Sequence, residues 1–238
     1  MCEKMIRHLE RQDYMKSNNF LMKPESKQSI AYNKLKNMII QGELPENRFL
    51  IERQLSEMLN VSRTPVRAAL NELCSVGLIT YYPGSGYMVS SVKIEDVVEI
   101  YQIRTLLDEM AFRDVLITNN PDVINELFFH VDAMEEYFKC GNNARCAEHD
   151  MLFHDCYYLN THNKRLSKLL FSLRDQIRRF LLRTVTDDER IMKTCSEHRQ
   201  IMNAVSEGNI DEACELLVEH LNYARDYHLN KIQIFLKR

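Results

Sequence analysis

Residues 51–79, IERQLSEMLNVSRTPVRAALNELCSVGLI, constrain the fold more tightly than any other stretch of this 238-residue chain. Glu52–Asn60 reads as a short amphipathic helix with Leu55, Met58 and Leu59 facing inward. After a tight joint, Ser62 is placed to cap a second helix, and Pro65 falls in its first turn, where a missing N–H is tolerated. Val66, Leu70 and Leu73 mark its buried face, and Gly77 ends it. Arg63 and Arg67 lie four residues apart, so they share the outer face of its N-terminal turns.

The flanking segments complete a small domain. IAYNKLKNMIIQ (30–41) puts Ile30, Leu35, Met38 and Ile39 near one helical face, and Gly42 stops it. Downstream, the β-rich runs Leu78–Tyr82 and Tyr87–Ser91 flank Pro83-Gly84-Ser85-Gly86, a strong turn signal. Three helices followed by a hairpin make a winged helix-turn-helix, whose second motif helix enters a DNA major groove. The forks of Arg63 and Arg67 suit guanine O6 and N7. Ser62 and Thr64 can bond phosphate at the helix N-terminus, Arg53 opens the preceding helix beside the backbone's path, and Gly84 and Gly86 let the wing approach DNA closely. The same arginines on an arbitrary helix would be only a solvated face; the cap, the helix order and the glycine wing argue against that here.

From Ile94 onward strand signals vanish. Apolar residues recur at spacings of three and four through 95–118, 122–139, 144–160, 164–185, 188–206 and 210–235, with breakers between them. The expected fold is mainly α: a winged head followed by an all-α bundle of about six helices. The domain division is 1–28, an N-terminal extension (a mobile arm or a short extra helix); 29–91, the head; and 92–238, a helical domain for effector binding and dimerisation.

Charge agrees with this division. Residues 1–90 hold 12 Lys+Arg against 9 Asp+Glu, and residues 91–238 hold 19 against 25. A mildly basic front and an acidic back suit one half that binds nucleic acid and one that avoids it. No apolar run approaches the ~20 residues of a membrane span, and the N-terminal MCEKMIRHLERQDY carries charges where a secretory signal needs an apolar core. A cytoplasmic protein with no membrane partner is expected. Seven cysteines without a Cys-x-x-Cys pair read as reduced, mostly packed thiols.

A second constellation lies in the helical half. Asp150 and His154 project from one helical face. His198 and His220 lie 10 residues before and 12 after Gly208. In an antiparallel hairpin both would stand ~15–18 Å from the turn, nearly level. Together the four residues can form an N₃O metal site with positions left open. From spacing alone, ordinary surface or core histidines are the stronger reading, as His130, His149, His162 and His228 are read.

VSRTPVRAALNELCSVGLI and its GSG wing closely resemble the GntR family of bacterial winged-helix repressors. The acidic helical body is similar to the branch with a FadR-type C-terminal (FCD) domain, and the resemblance covers roughly residues 29–230. It implies DNA contacts at Arg53, Arg63, Thr64, Arg67 and Gly84, with Ser62 beside them. It also implies a divalent metal on Asp150, His154, His198 and His220, from the family's Asp-x-x-x-His and two later histidines; Zn²⁺ stands first, with Ni²⁺ and Mn²⁺ as alternatives. Its effectors are small carboxylates lying beside the metal. Arg104, in an Arg-x-x-Leu-Asp segment where the family carries Glu, can clamp one, or can instead pair with Asp108. Asn163 and Arg178 are further candidates for the pocket wall, although the arginines of RDQIRRFLLR (174–183) equally suit a solvated face.

The function so implied is a homodimeric, non-enzymatic, sequence-specific DNA-binding regulator, a repressor, whose operator binding responds to the metal-linked metabolite. Two alternatives stand beside it: a metal-dependent hydrolase on the helical domain, and a winged helix that contacts protein or RNA.

Overall fold

The glycines and asparagines that punctuate the sequence become the places where helices end. The computed structural model describes residues 26–91, 93–181 and 187–236, with the side chains of 179–181 and 232–236 left out. The N-terminal extension therefore lies almost wholly outside the described residues. Nine helices and three short strands are described: α1 (Lys27–Ile40), β1 (Phe49–Leu50), α2 (Glu52–Leu59), α3 (Arg63–Ser75), β2 (Ile79–Tyr82), β3 (Gly86–Val89), α4 (Ile94–Thr118), α5 (Pro121–Lys139), α6 (Asn143–Asn160), α7 (Lys164–Leu181), α8 (Asp188–Ser206) and α9 (Ile210–Leu236). They fall into two compact units: one runs to Val97 and takes in the segment from Ser172, and the other holds Val98–Phe171 with α8 and α9.

In the first unit α1 opens with Ser26, whose Oγ accepts from the Ser29 N–H at 3.0 Å, satisfying one of the helix's orphan donors. α2 stops at Asn60, which sits in the left-handed region with φ 53°. Ala31, Leu35, Leu55, Val66, Leu70, Leu73 and Leu78 share one buried core. The sheet has order β1-β3-β2, both pairings antiparallel, with Tyr82 opposite Gly86 at the hairpin. Gly84 and Gly86 adopt φ of +80° and +96°, which a side chain would strain. Lys36 reaches Asp175 at 2.9 Å, tying α1 to the part of α7 that belongs to this unit.

Three local expectations need correction. Met58 is 51% exposed, because an eight-residue helix buries only the line of Leu55 and Leu59. Ser62 occupies the N-cap position of α3, yet its side chain makes no cap hydrogen bond. Strand β1 was not anticipated, since two residues carry no readable periodicity.

The second unit contains α4, α5, α6, the start of α7, α8 and α9, the six helical segments the spacing predicts. Its core joins Phe112, Leu127, Phe153, Tyr157, Tyr158, Ile201, Met202 and Leu217. Breaker residues double as caps: Asn120, Asn142 and Asp187 each accept a backbone N–H of the following helix. Cys74, Cys146, Cys156, Cys195 and Cys214 are free thiols. Cys140 is disulfide-bonded, contrary to the expectation of reduced thiols; pairing depends on proximity in space, which spacing along the chain does not show.

Leu70 is fully buried at the centre of the first core. Leu70→Ala is expected to lower the unfolding free energy by about 2–5 kcal/mol, the range for cavity-forming core truncations, read from urea titrations followed by circular dichroism.

Candidate functional site

On the first unit, α3 presents its N-terminal turns outward. Ser62, Arg63 and Thr64 are exposed. The Arg53 and Arg67 side chains are 68% and 64% exposed. Arg53 lies 4.0 Å from Glu57 one turn along α2. Arg67 is engaged more firmly: its Nε and Nη2 donate to the two oxygens of Glu52 at 2.9 and 2.7 Å. That bidentate pair holds the Glu52 carboxyl below its usual range. The planar fork that would suit a guanine edge thus already grips a carboxylate. Nothing lies within 4 Å of a side chain built at Gly84, so the wing tip is open.

In the second unit Asp150 and His154 on α6, His198 on α8 and His220 on α9 each offer a ligand atom, all within 4.8 Å of one another. The levelling expected for the α8–α9 hairpin is met: the His198 and His220 rings stand 4.4 Å apart. His154 lies 5.5 Å from His198 and 5.6 Å from His220, ring to ring. His198 Nε2 and Asp150 Oδ1 face each other at 3.4 Å. Both atoms are shielded from solvent and make no hydrogen bond, an arrangement that normally costs stability. Two donors on one ion at bonds of ~2.0–2.2 Å stand at a comparable separation, so the pair fits a shared metal.

The other nitrogen of each ring is occupied. His198 Nδ1 lies 2.9 Å from the Thr194 carbonyl oxygen, an acceptor that requires Nδ1 to carry the proton. His220 Nδ1 donates to Glu197 at 2.8 Å. His154 Nδ1 meets the Tyr157 hydroxyl at 2.6 Å, and that hydroxyl donates to Asp108. A neutral imidazole protonated at Nδ1 keeps the Nε2 lone pair, the form a metal binds. Burial, reinforced by His220, pushes the His198 pKa down to about 3, and burial also lowers that of His220. Burial opposes ionisation of Asp150, yet the three imidazoles, led by His198, hold its carboxyl below the ordinary value. The donor set is therefore nitrogen from three imidazoles and oxygen from one carboxylate.

The candidate effector residues separate. Arg104, 6% exposed, donates from Nε to Asp108 at 3.0 Å and to the Tyr158 hydroxyl at 3.2 Å. Of its two sequence readings, the structure contains the ion pair. Through Asp108 and Tyr157 the same network reaches His154, one of the four converging residues. Asn163 is exposed, and its carboxamide oxygen caps α7 by accepting from the N–H of Arg165 and Leu166. Arg178 belongs to the segment that clusters with the first unit, and its Nε is shielded without a hydrogen bond. His130 and His149 are core histidines whose Nδ1 atoms meet at 3.1 Å. Sequence reading missed Glu197, Thr194 and Tyr157. Tyr157 sits three residues after His154 and Glu197 directly precedes His198, but neither spacing tells which imidazole each serves.

A family model described as the FCD domain matches residues 99–223, and one described as bacterial regulatory proteins, gntR family, matches residues 27–89. The chain is a GntR-family transcriptional regulator with an FCD domain. Bacillus subtilis YdhC, an uncharacterised HTH-type transcriptional regulator, is 28% identical over 81% of this chain and 86% of its own length. A probable D-xylose utilization operon transcriptional repressor of Paenarthrobacter nicotinovorans is 27% identical over 77% of this chain and 80% of its own. The solved structure of Escherichia coli McbR/YncC shares the fold, with a TM-score of 0.75 at 21% identity over 87% of this chain and 99% of that one. The relatives are regulators, and the chain is not an enzyme. No helix among the described residues is long and apolar enough to cross a membrane.

The His198 shift has a consequence for stability. In the unfolded chain the imidazole takes up a proton near pH 6.5, whereas in the folded chain it resists until about pH 3. Its contribution is complete above the unfolded value and drains away as pH falls from 6.5 towards 3. His198→Asn should therefore lose less stability than the wild type across that window, measured on metal-free protein by denaturant titrations at stepped pH.

Proposed function

We propose that the chain is a homodimeric, metal-linked metabolite sensor that represses transcription. In this scheme residues 29–91 read operator DNA, and residues 92–238 hold a divalent cation and dimerise. Asp150, His154, His198 and His220 are the ligands, and the observation that carries their assignment is the convergence of four donor atoms with each Nδ1 engaged elsewhere. Nitrogen and carboxylate donors suit Zn²⁺ first, with Ni²⁺ and Mn²⁺ following. Four protein ligands leave room for expansion of the coordination sphere, and a small carboxylate supplies oxygens suited to it. The bound effector shifts DNA affinity only by as much as it prefers one conformation over the other. Arg104 acts in this scheme through Asp108 and Tyr157 on His154, and Asn163 and Arg178 remain the further candidates for the effector's surroundings.

Dimerisation is supported by α4, on which Ile103, Leu106, Met110 and Ile117 are 51%, 69%, 55% and 67% exposed. Spacings of three, four and seven put all four on one helical face. An exposed apolar stripe of that kind suits burial against the same stripe of a second copy. Two heads then meet a two-fold operator.

In the head, Arg63 and Arg67 contact base edges, Arg53, Ser62 and Thr64 contact phosphates, and Gly84 brings the wing close to the duplex. Arg63→Ala and Arg67→Ala are each expected to cost about 1–3 kcal/mol of discrimination between operator and scrambled duplex. Electrophoretic shift at fixed salt measures it; unchanged preference in both variants would reject the base-reading assignment. For the sensor, elemental analysis of purified protein should find about one metal per chain, absent from His198→Ala. A metal content equal to that of the wild type would reject the ligand set.

A further inference from the structure

Glu197 is not among the four converging ligands, yet it controls one of them. Its Oε2 accepts the Nδ1 proton of His220 at 2.8 Å. Arg190, two turns earlier on the same face of α8, donates through Nη1 to both Glu197 oxygens at 3.0 Å each. The Arg190 and Glu197 side chains are 7% and 10% exposed. A fixed anion, clamped from behind by a guanidinium, therefore faces His220.

The three imidazoles are held in different ways. His198 is held by the carbonyl of Thr194 and His154 by the hydroxyl of Tyr157, each on the same helix as the ring it holds. His220 stands on α9 and takes its acceptor from α8. Its ring orientation and tautomer thus depend on a side chain that a single substitution can remove. Both oxygens of Glu197 are already taken by Arg190 and His220, so the carboxylate serves the imidazole and not an ion.

We propose that Glu197, clamped by Arg190, is a positioning residue that keeps the His220 proton on Nδ1 and turns Nε2 towards Asp150, His154 and His198. The assignment rests on the metal-centre reading above. The competing account is an ion pair that merely staples α8 to α9. The surroundings separate the two. Glu197 and His220 line a cavity of about 250 Å³ between α8 and α9, together with Lys193, Gln200, Glu219 and Tyr223. Truncation at 197 leaves open space that a small carboxylate can refill as an acceptor for Nδ1–H. Glu219 puts a second carboxylate in the same cavity and has no hydrogen bond to an imidazole among those described, so it controls for charge alone.

The test is competition of the full-length chain with a chromophoric chelator for Zn²⁺, run on wild type, E197A, E197Q and E219A. E197A is expected to bind ~10–100-fold more weakly, the usual loss when a partner of a ligating histidine is removed. E197Q, whose amide oxygen still accepts, should lose less, and E219A should match the wild type. Formate should restore affinity to E197A without changing that of the wild type. Long-range ¹H–¹⁵N spectra of the metal-free chain should show His220 protonated at Nδ1 in the wild type and E197Q, and a tautomer mixture in E197A. If E197A does not fold, E197Q and the wild-type spectrum decide. Wild-type Zn²⁺ affinity retained in E197A, an equal loss in E219A, or a wild-type His220 protonated at Nε2 would overturn the assignment. A wild-type chain that holds no Zn²⁺ would instead overturn the metal centre itself, leaving the tautomer result to stand by itself.

Discussion

A neutral imidazole carries one proton, and where that proton sits decides what the other nitrogen can do. In this chain the placement is settled three times over. A backbone carbonyl, a tyrosine hydroxyl that passes its own proton to Asp108, and a clamped carboxylate each take an Nδ1–H. The Nε2 edges are thereby left to gather around Asp150. The fold serves this arrangement: α6 supplies two candidate ligands one turn apart, and the α8–α9 hairpin brings two more to the same level. The aromatic core, with Phe153 4.7 Å from the His198 ring, shields that imidazole and opposes its protonation.

The polar network around Asp108 joins the candidate effector arginine to this centre. A fully buried carboxylate needs compensation from several directions, and Asp108 receives it from Arg104, Tyr157 and Tyr158. Arg104 already holds Asp108 through Nε, and Asp108 in turn is one hydroxyl away from His154.

How much of this was legible depended on the range of the interactions involved. Helix periodicity, capping asparagines and the Pro-Gly-Ser-Gly turn are local, and they set the nine described helices and the hairpin to within a few residues. The ligand quartet was legible in part, because i,i+4 spacing and equal distances from Gly208 are geometric facts along the chain. Local resolution failed where an element was too short, as in β1, or where a residue lay on the flank of its face, as with Met58. Asn163 caps a helix, a role its position before Lys164 allowed. The service of Glu197 to His220 had no local signature, since it crosses between helices. Proximity in space likewise decided the bonding of Cys140.

The Glu52–Arg67 pair gives the head a built-in rival for its own ligand. A carboxylate that holds the guanidinium in the free protein imitates a phosphate, so on an arbitrary duplex Arg67 gains little by exchanging one anion for another. If Arg67 reads a base as proposed, only an edge offering two acceptors in the right plane would displace Glu52. The pair would then depress indiscriminate attachment more than cognate binding, widening the gap between them. Selectivity at this position would come as much from what the arginine already has as from what the operator offers.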